Sequence, residues 1–490
     1  MRHVLLTNDF PPKVGGIQSY LWELWRRLPP DDVTVFTASH AGAAWWDREQ
    51  KFRVIRAKEP VLLPQPHLVH RVRQVAESTG AQAVVIDPAL PLGLVGPSLG
   101  LPYAVVLHGA EVTVPGRLPV SRQLLQRVLK SASLVIAAGG YPEAEARRAF
   151  QEAKDQEGTS STDAGGSPVF PPAVQIPPGV DTDRFRPLPH IERAAARARL
   201  KLPVIGPLVA SVSRLVPRKG MDTLIEAAAM VARDFPGLSV AIAGGGRDRH
   251  RLERLASRTN VRVDFLGKVP DADLPDFYAC ADVFALCCRS RWWGLEQEGF
   301  GVVLVEAAAA GIPCITIDSG GAGEAVRDGE TGIVAVARSG APEEEPSNGR
   351  QRAAQVGEIA EALTKLLGDP GLARRMGEAG RRRAEEELSY DALAAKLGDA
   401  IDGLAALEGP PALNGTGDGR MAEGGRPGSE RAGVGVVDVT RAEGASSIGP
   451  SLGATESGDD ASDRPRSHRG RYPGRAAWQR RKQRTDDGGP

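Results

Sequence analysis

Short apolar runs alternate with helical patterns in two successive series, and this constrains the chain more than any other feature. The first series is Val4–Thr7, Val33–Thr37, Arg53–Ile55, Ala83–Ile86, Tyr103–Leu107 and Leu134–Ala137. Such runs suit strands buried on both faces of a parallel sheet. Helical spacing separates several of them, as at Ile17–Leu28 and Val120–Leu129. The second series begins near Leu208, with Leu208–Val212, Leu238–Ala243, Arg262–Phe265, Val283–Leu286 and Cys314–Ile317. Parallel strands need long crossovers, so each series predicts a doubly wound α/β domain. Ligands of such sheets bind beyond the carboxyl ends of the strands, so two facing domains place an active site in the cleft between them. A chain of 490 residues is also too long for a single core.

The expected organisation is a first domain over 1–185, a second over 186–380, and a helical segment over 381–408. Residues 151–170 are polar and rich in Ser, Thr and Gly, and read as a surface excursion. Residues 409–490 are rich in Gly, Ser, Pro and charge without apolar periodicity, and read as a disordered tail. The tail is basic from Arg464 to Arg484 and includes Tyr472 and Trp478, a pattern expected of a solvated segment rather than of specific nucleic-acid binding. Lys plus Arg equals Asp plus Glu at 61 each, so overall charge points to no polyanionic partner. Cys280, Cys287, Cys288 and Cys314 fit neither a zinc pattern nor a disulfide framework, and read as buried thiols of a reducing cytosol. The chain runs from Met1 almost directly into a strand, with no signal-peptide pattern. Residues 88–110 carry no Asp, Glu, Lys or Arg, but Pro88, Pro91, Pro97 and Pro102 break that run as a membrane span.

Polar and small residues cluster just past the predicted strands. Gly15 and Gly16 offer a close approach to the start of a helix, usable for a diphosphate. His108 leaves the strand Tyr103–Leu107 and suits a hydrogen-bond partner or a general base. Arg214 and Lys219 flank a turn that opens the helix Met221–Ala232, where two cations make a diphosphate clamp. Gly244, Gly245 and Gly246 follow another strand and let backbone approach a ligand, without a dinucleotide fingerprint. Gly267 and Lys268 follow the next strand, where backbone groups can meet a nucleobase. Asp181-Thr182-Asp183 looks like a metal-binding acidic triplet, but its place between the two series favours a structural junction, and no metal is assigned.

The stretch Glu298-Gly299-Phe300-Gly301-Val302-Val303-Leu304-Val305-Glu306 brackets a glycine turn and a helix start with two carboxylates. Gly299 and Gly301 permit close backbone approach, and the helix mouth suits a phosphate. Glu306 is expected about two turns inside that helix. The two acids can therefore touch different parts of one ligand.

Taken in order, Gly15-Gly16, His108, the Pro178-Gly179-Val180-Asp181 segment, Arg214 with Lys219, and the Glu298-to-Glu306 stretch resemble retaining, group 1, glycogen-synthase-like nucleotide-sugar glycosyltransferases. The resemblance covers roughly residues 1–406 and implies the GT-B fold, in which a final helix crosses back to the first domain. Ser389-Tyr390 resembles that helix, although many relatives have Trp at the Tyr390 position. The resemblance implies that Arg214 and Lys219 hold the diphosphate and that Glu306 binds the ribose. It further implies that Glu298 and the backbone of Gly299, Phe300, Gly301, Val302 and Val303 hold the hexose and phosphates. His108 is implied to contact the hexose near its 6-hydroxyl. No metal or other cofactor is implied, and a front-face displacement without a covalent nucleophile is the expected chemistry.

Thr7–Tyr20, Val35–Ala38 and Arg291–Gly301 look most like bacterial GDP-mannose-dependent phosphatidylinositol mannoside mannosyltransferases. That likeness implies α-mannosyl transfer from GDP-mannose to the 6-position of inositol in a lipid acceptor, with Asp9 and Gln18 as acceptor-side residues. Hexosyl transfer from UDP- or ADP-glucose to a soluble sugar is the alternative within the class, and a non-catalytic scaffold with a basic tail is the alternative outside it. Between Glu111 and Glu143 no acid occurs, while Arg117, Arg122, Arg127 and Lys130 accompany Leu118, Leu124, Leu125, Val128 and Leu129. A basic amphipathic helix of this kind suits the inner, anionic face of a membrane, or else packs its leucines on the sheet. Cytoplasmic placement, peripheral at that membrane face, is the expectation; no oligomeric state follows.

Overall fold

Strand β1 (His3–Thr7) lies inside a parallel sheet with β2 (Val33–Thr37), β3 (Arg53–Arg56), β4 (Ala83–Asp87), β5 (Tyr103–Leu107), β6 (Leu134–Ala137) and β7 (Ala173–Gln175). The order is β3-β2-β1-β4-β5-β6-β7. The structure is a computed structural model and describes residues 1–156, 169–291, 296–336 and 349–404. The expected excursion is described only at its two ends; the expected tail and Trp292–Leu295 lie outside the described residues.

A second parallel sheet comprises β8 (Leu208–Val212), β9 (Ser239–Ala243), β10 (Arg262–Gly267), β11 (Val283–Leu286), β12 (Cys314–Ile317) and β13 (Gly332–Ala335), in the order β10-β9-β8-β11-β12-β13. Both are Rossmann-like, and both belong to one contact-defined unit, Met1–Ala412. The winding direction reverses between β1 and β4 and again between β8 and β11. A crevice opens at such a switch point, beyond the strand ends.

Burial on both faces explains the strand choice, since every residue of β1, β4 and β5 is buried. Val4 and Leu6 of β1 share one fully buried cluster with Val84, Ile86, Val105 and Leu107 of the neighbouring strands. Burying each such aliphatic side chain contributes about 1.5–3 kcal/mol. Sequence pattern missed β7 and β13, which are short edge strands of three and four residues. All four cysteines are free and buried, as their apolar settings predicted.

Two expectations change. The helical region expected near 380–406 is two helices, Pro370–Glu386 and Tyr390–Gly403, so the crossing begins after Glu386 rather than at 381. Ser389 caps the second helix by accepting the Ala392 N–H at 3.2 Å. That helix does return to the first domain, where Arg27 meets Asp391 at 2.6 Å and stacks 5.3 Å over the Tyr390 ring. The expected leucine face near 120–129 divides: in the helix Pro119–Ser131, Leu125, Val128 and Leu129 are core, whereas Leu124 and the preceding Leu118 are exposed. Arg122 is buried as well.

The junction is built from backbone contacts. Val180 pairs with Ser389, and a Cβ on Gly179 would lie 2.9–3.0 Å from Leu393, Tyr390 and the Leu388 carbonyl. Asp181 Oδ1 accepts the N–H groups of Asp183 and Arg184, a local turn cap. Arg381 Nη1 donates to the carbonyls of Thr182, Phe185 and Ala309 at 2.6–2.9 Å, tying junction to second domain.

Candidate active site

The loops after β8 and β11 flank the switch point of the second sheet, and they bring Lys219 and Glu298 together. Pro217–Lys219 is a 3₁₀ turn closed by Gly220, whose φ of +66° favours glycine. A Cβ there would lie 1.7 Å from the Cys287 carbonyl oxygen, so the turn seats directly on the end of β11. Lys219 Nζ and Arg218 Nη1 both donate to Glu298 Oε2, at 2.5 and 2.6 Å. Arg218 Nε also lies 3.6 Å from Glu296. Burial opposes ionisation of Glu298, but Lys219 and Arg218 outweigh it and hold the carboxyl below its ordinary 4.5. Arg214 is exposed nearby in sequence. Five cations, Arg214, Arg218, Lys219, Arg289 and Arg291, against Glu296 and Glu298 leave this loop pair net positive, as suits an anionic ligand.

After Glu298 the chain crosses Gly299 and turns at Gly301, with φ +84°, into the helix Val302–Ala309. The Glu298 carbonyl accepts the Gly321 N–H at 2.8 Å, which supports the turn from beneath. Because the helix starts at Val302, Glu306 sits about one turn inside it, not the two expected. Glu306 Oε2 accepts the Tyr278 hydroxyl at 2.6 Å.

In the first sheet, β1 and β4 end side by side at Thr7 and Asp87. Thr7 Oγ1 donates to Asp87 Oδ2 at 2.7 Å, and His108 Nε2 lies 2.5 Å from Asp87 Oδ1. Tyr20 meets the imidazole edge-on at 5.4 Å. Burial lowers the basicity of His108, yet buried Asp87 outweighs it and leaves the ring above its ordinary 6.5. Asp87 thus fixes the orientation of the ring, which suits either role expected of His108, hydrogen-bond partner or general base. Asp9 Oδ1 accepts from Gln18 Nε2 and from Lys13 Nζ, each at 2.6 Å, so the two acceptor-side candidates form one unit. A Cβ on Gly15 would lie 2.0 Å from Gln18 Oε1 and displace that amide, whereas Gly16 opens the helix Gly16–Trp25 onto free space.

The two halves touch. A Cβ on Gly299 would lie 3.5 Å from the His108 carbonyl oxygen. Glu324 accepts the N–H groups of Gly140 and Tyr141 at 2.6 and 2.5 Å across the domains. A cavity of about 390 Å³ lies beside this contact, lined by Gly139, Gln175, Phe300 and Arg383 among others.

The profile of "Glycosyl transferases group 1" matches residues 192–344, which include Arg214, Lys219, Glu298 and Glu306. A Mycobacterium tuberculosis protein named GDP-mannose-dependent alpha-(1-6)-phosphatidylinositol monomannoside mannosyltransferase is 38% identical over 414 residues, 82% of this chain and 98% of that one. The chain belongs to the group 1 glycosyltransferases. A Corynebacterium glutamicum glycosyltransferase, named for the monoacylated phosphatidylinositol monomannoside, is 33% identical over 80% of this chain and 96% of its own. The solved Anabaena HepE structure in complex with UDP shares the fold, with a TM-score of 0.62 at 21% identity, and covers 82% of this chain and 100% of its own. This glycosyltransferase therefore has the GT-B architecture.

Some expected site residues of the transferase do not join the cluster. Gly244 and Gly246 are glycines because their Cβ atoms would strike the Ser213 and Leu215 carbonyls at 1.9 and 2.3 Å; only Gly245 faces open space. Gly267 and exposed Lys268 end β10, the edge strand, two strands from β8. Phe300 is buried against Gly139, where its side chain lines the cavity at the domain contact. Val302 and Val303 supply the first N–H groups of their helix. Sequence reasoning missed Arg218, Asp87, Tyr278 and Glu324. Arg218 stands beside Lys219 in the turn that follows Arg214, and Asp87 directly follows a predicted strand. No local signal marked Tyr278 or Glu324.

Proposed function

We propose that this glycosyltransferase moves an α-mannosyl unit from GDP-mannose to the 6-position of inositol in a phosphatidylinositol mannoside, with retention at the anomeric carbon. The observation that carries the reading is near-complete coverage of relatives bearing that activity in their names, at 33–38% identity. Arg214, Lys219 and Arg218 meet the charge of the diphosphate, so no metal or cofactor is assigned. Glu306 binds the ribose, and Glu298 with the Gly299–Val303 backbone binds the hexose and phosphates. Gly267 and Lys268 address the base, and Gly16 faces the donor from the first domain. His108 donates to a hexose hydroxyl, while Asp9 and Gln18 face the acceptor. The acceptor oxygen bonds to the anomeric carbon on the face from which GDP departs; the carbon–phosphate-oxygen bond breaks, and the departing phosphate takes the acceptor proton.

The acceptor is met at an anionic membrane surface on the cytoplasmic side. No described helix is long and apolar enough to cross a membrane. Leu118, Val120 and Leu124 are exposed at 56%, 73% and 39% beside exposed Arg127 and Lys130, a patch suited to peripheral contact. Charge reversal of Arg127 and Lys130 is expected to weaken sedimentation with anionic liposomes; unchanged partitioning would remove the membrane contact. Incubation with radiolabelled GDP-mannose and phosphatidylinositol monomannoside in detergent is expected to yield labelled dimannoside. Label from UDP-glucose instead, or none from GDP-mannose, would overturn the donor assignment.

A further inference from the structure

We infer that Glu324 is a positioning residue that couples closure of the two domains to placement of the Glu298–Gly299 turn. The segment Gly320–Ala325 has two attachments within its own domain. Gly321 N–H supports the Glu298 carbonyl at 2.8 Å, and Arg383 holds the Glu324 and Ala325 carbonyls at 2.9 and 3.0 Å. Side chains added at Gly320 and Gly321 would meet the Glu298 and Gly299 carbonyl oxygens at 2.4 and 1.9 Å, so no slack separates the segment from the turn. The Glu324 side chain then reaches across to the first domain. Each carboxylate oxygen accepts one N–H at the start of the helix Gly140–Gln156, where the first amides have no partner within the helix. Gly139 and Gly140 leave only 2.9–3.2 Å for a Cβ against the same carboxylate, which fixes the approach. The path runs from the helix Gly140–Gln156 through Glu324 and Gly321 to Glu298 and Gly299, and Gly299 abuts His108. Loss of the Glu324 contact therefore misaligns donor and acceptor halves without removing a group that binds donor.

The turnover arm of the test rests on the proposed donor; the exchange arm does not. In the full chain, Glu324→Ala is expected to lower kcat with GDP-mannose at least tenfold while the GDP Kd stays within threefold. Amide exchange at Gly140 and Tyr141 should accelerate. Glu324→Gln, which keeps one acceptor oxygen, should recover part of kcat and slow one of the two amides. Wild-type kcat in Glu324→Ala overturns the inference, as does parallel loss of kcat, GDP binding and Tm, which marks a merely structural role. If the unaltered protein shows no transfer from GDP-mannose, the donor assignment fails, and unchanged exchange at Gly140 and Tyr141 then sinks the coupling on its own.

Discussion

The ammonium of Lys219 lies 2.5 Å from the carboxylate of Glu298, although 79 residues separate them in the chain. Arg218 shares the same oxygen. The three side chains are 10–14% exposed and hold one another in place, so a diphosphate bound as proposed would meet cations that are already oriented. Removing a preorganised cation of this type costs on the order of 10²–10³ in kcat. Lys219→Ala is expected to lose turnover in that range while remaining folded, because Arg218 still neutralises Glu298. Steady-state kinetics with circular dichroism checks both halves.

The Glu298 pair also has a pH signature. Its folded-state pKa is lowered, so the pair stabilises the protein above about pH 4.5, and the gain is lost as pH falls through the folded value. The stability gap between wild type and Glu298→Gln should therefore narrow on acidification below that value. Urea titrations across a pH series measure it.

His108 behaves with the opposite sign. Its folded-state pKa is raised by Asp87, so the stabilisation is complete below pH 6.5 and disappears as pH rises through the folded value. The excess stability of wild type over His108→Asn should be larger at pH 6 than at pH 8. Proton NMR titration of the His108 ring should place its midpoint above 6.5.

Gly220 seats the cationic turn on β11. Gly220→Ala adds a methyl group 1.7 Å from the Cys287 carbonyl oxygen, at φ +66°. The left-handed conformation alone costs about 1–2 kcal/mol for a non-glycine residue. The variant should lose more than that in denaturant titration, and its donor KM should rise because Lys219 is displaced.

Arg381 joins the junction through three carbonyls. Arg381→Met leaves those acceptors unpaired, at roughly 1–3 kcal/mol for each one that stays buried. Thermal unfolding should shift downward, while the Kd for GDP in protein that remains folded should change little.

Much of this architecture was legible in the chain. The apolar runs of β1, β4 and β5 are local information, and burial on both faces is strong enough to make them decisive, so the parallel sheets follow from them. Parallel winding in turn places Asp9, His108, Lys219 and Glu298 beyond strand ends before any coordinate is known. Partner choice is another matter. That Arg218 joins Lys219 on one oxygen, that Asp87 holds the His108 ring, and that Glu324 crosses to Gly140 all depend on contacts 21 to 184 residues apart. No periodicity encodes such distances. A buried charge takes whichever opposite charge or free N–H the packed domains bring within about 3 Å, because leaving it unpaired costs several kcal/mol. Residue types at strand ends thus follow from the chain itself, whereas the pairing among them follows from how two finished sheets meet.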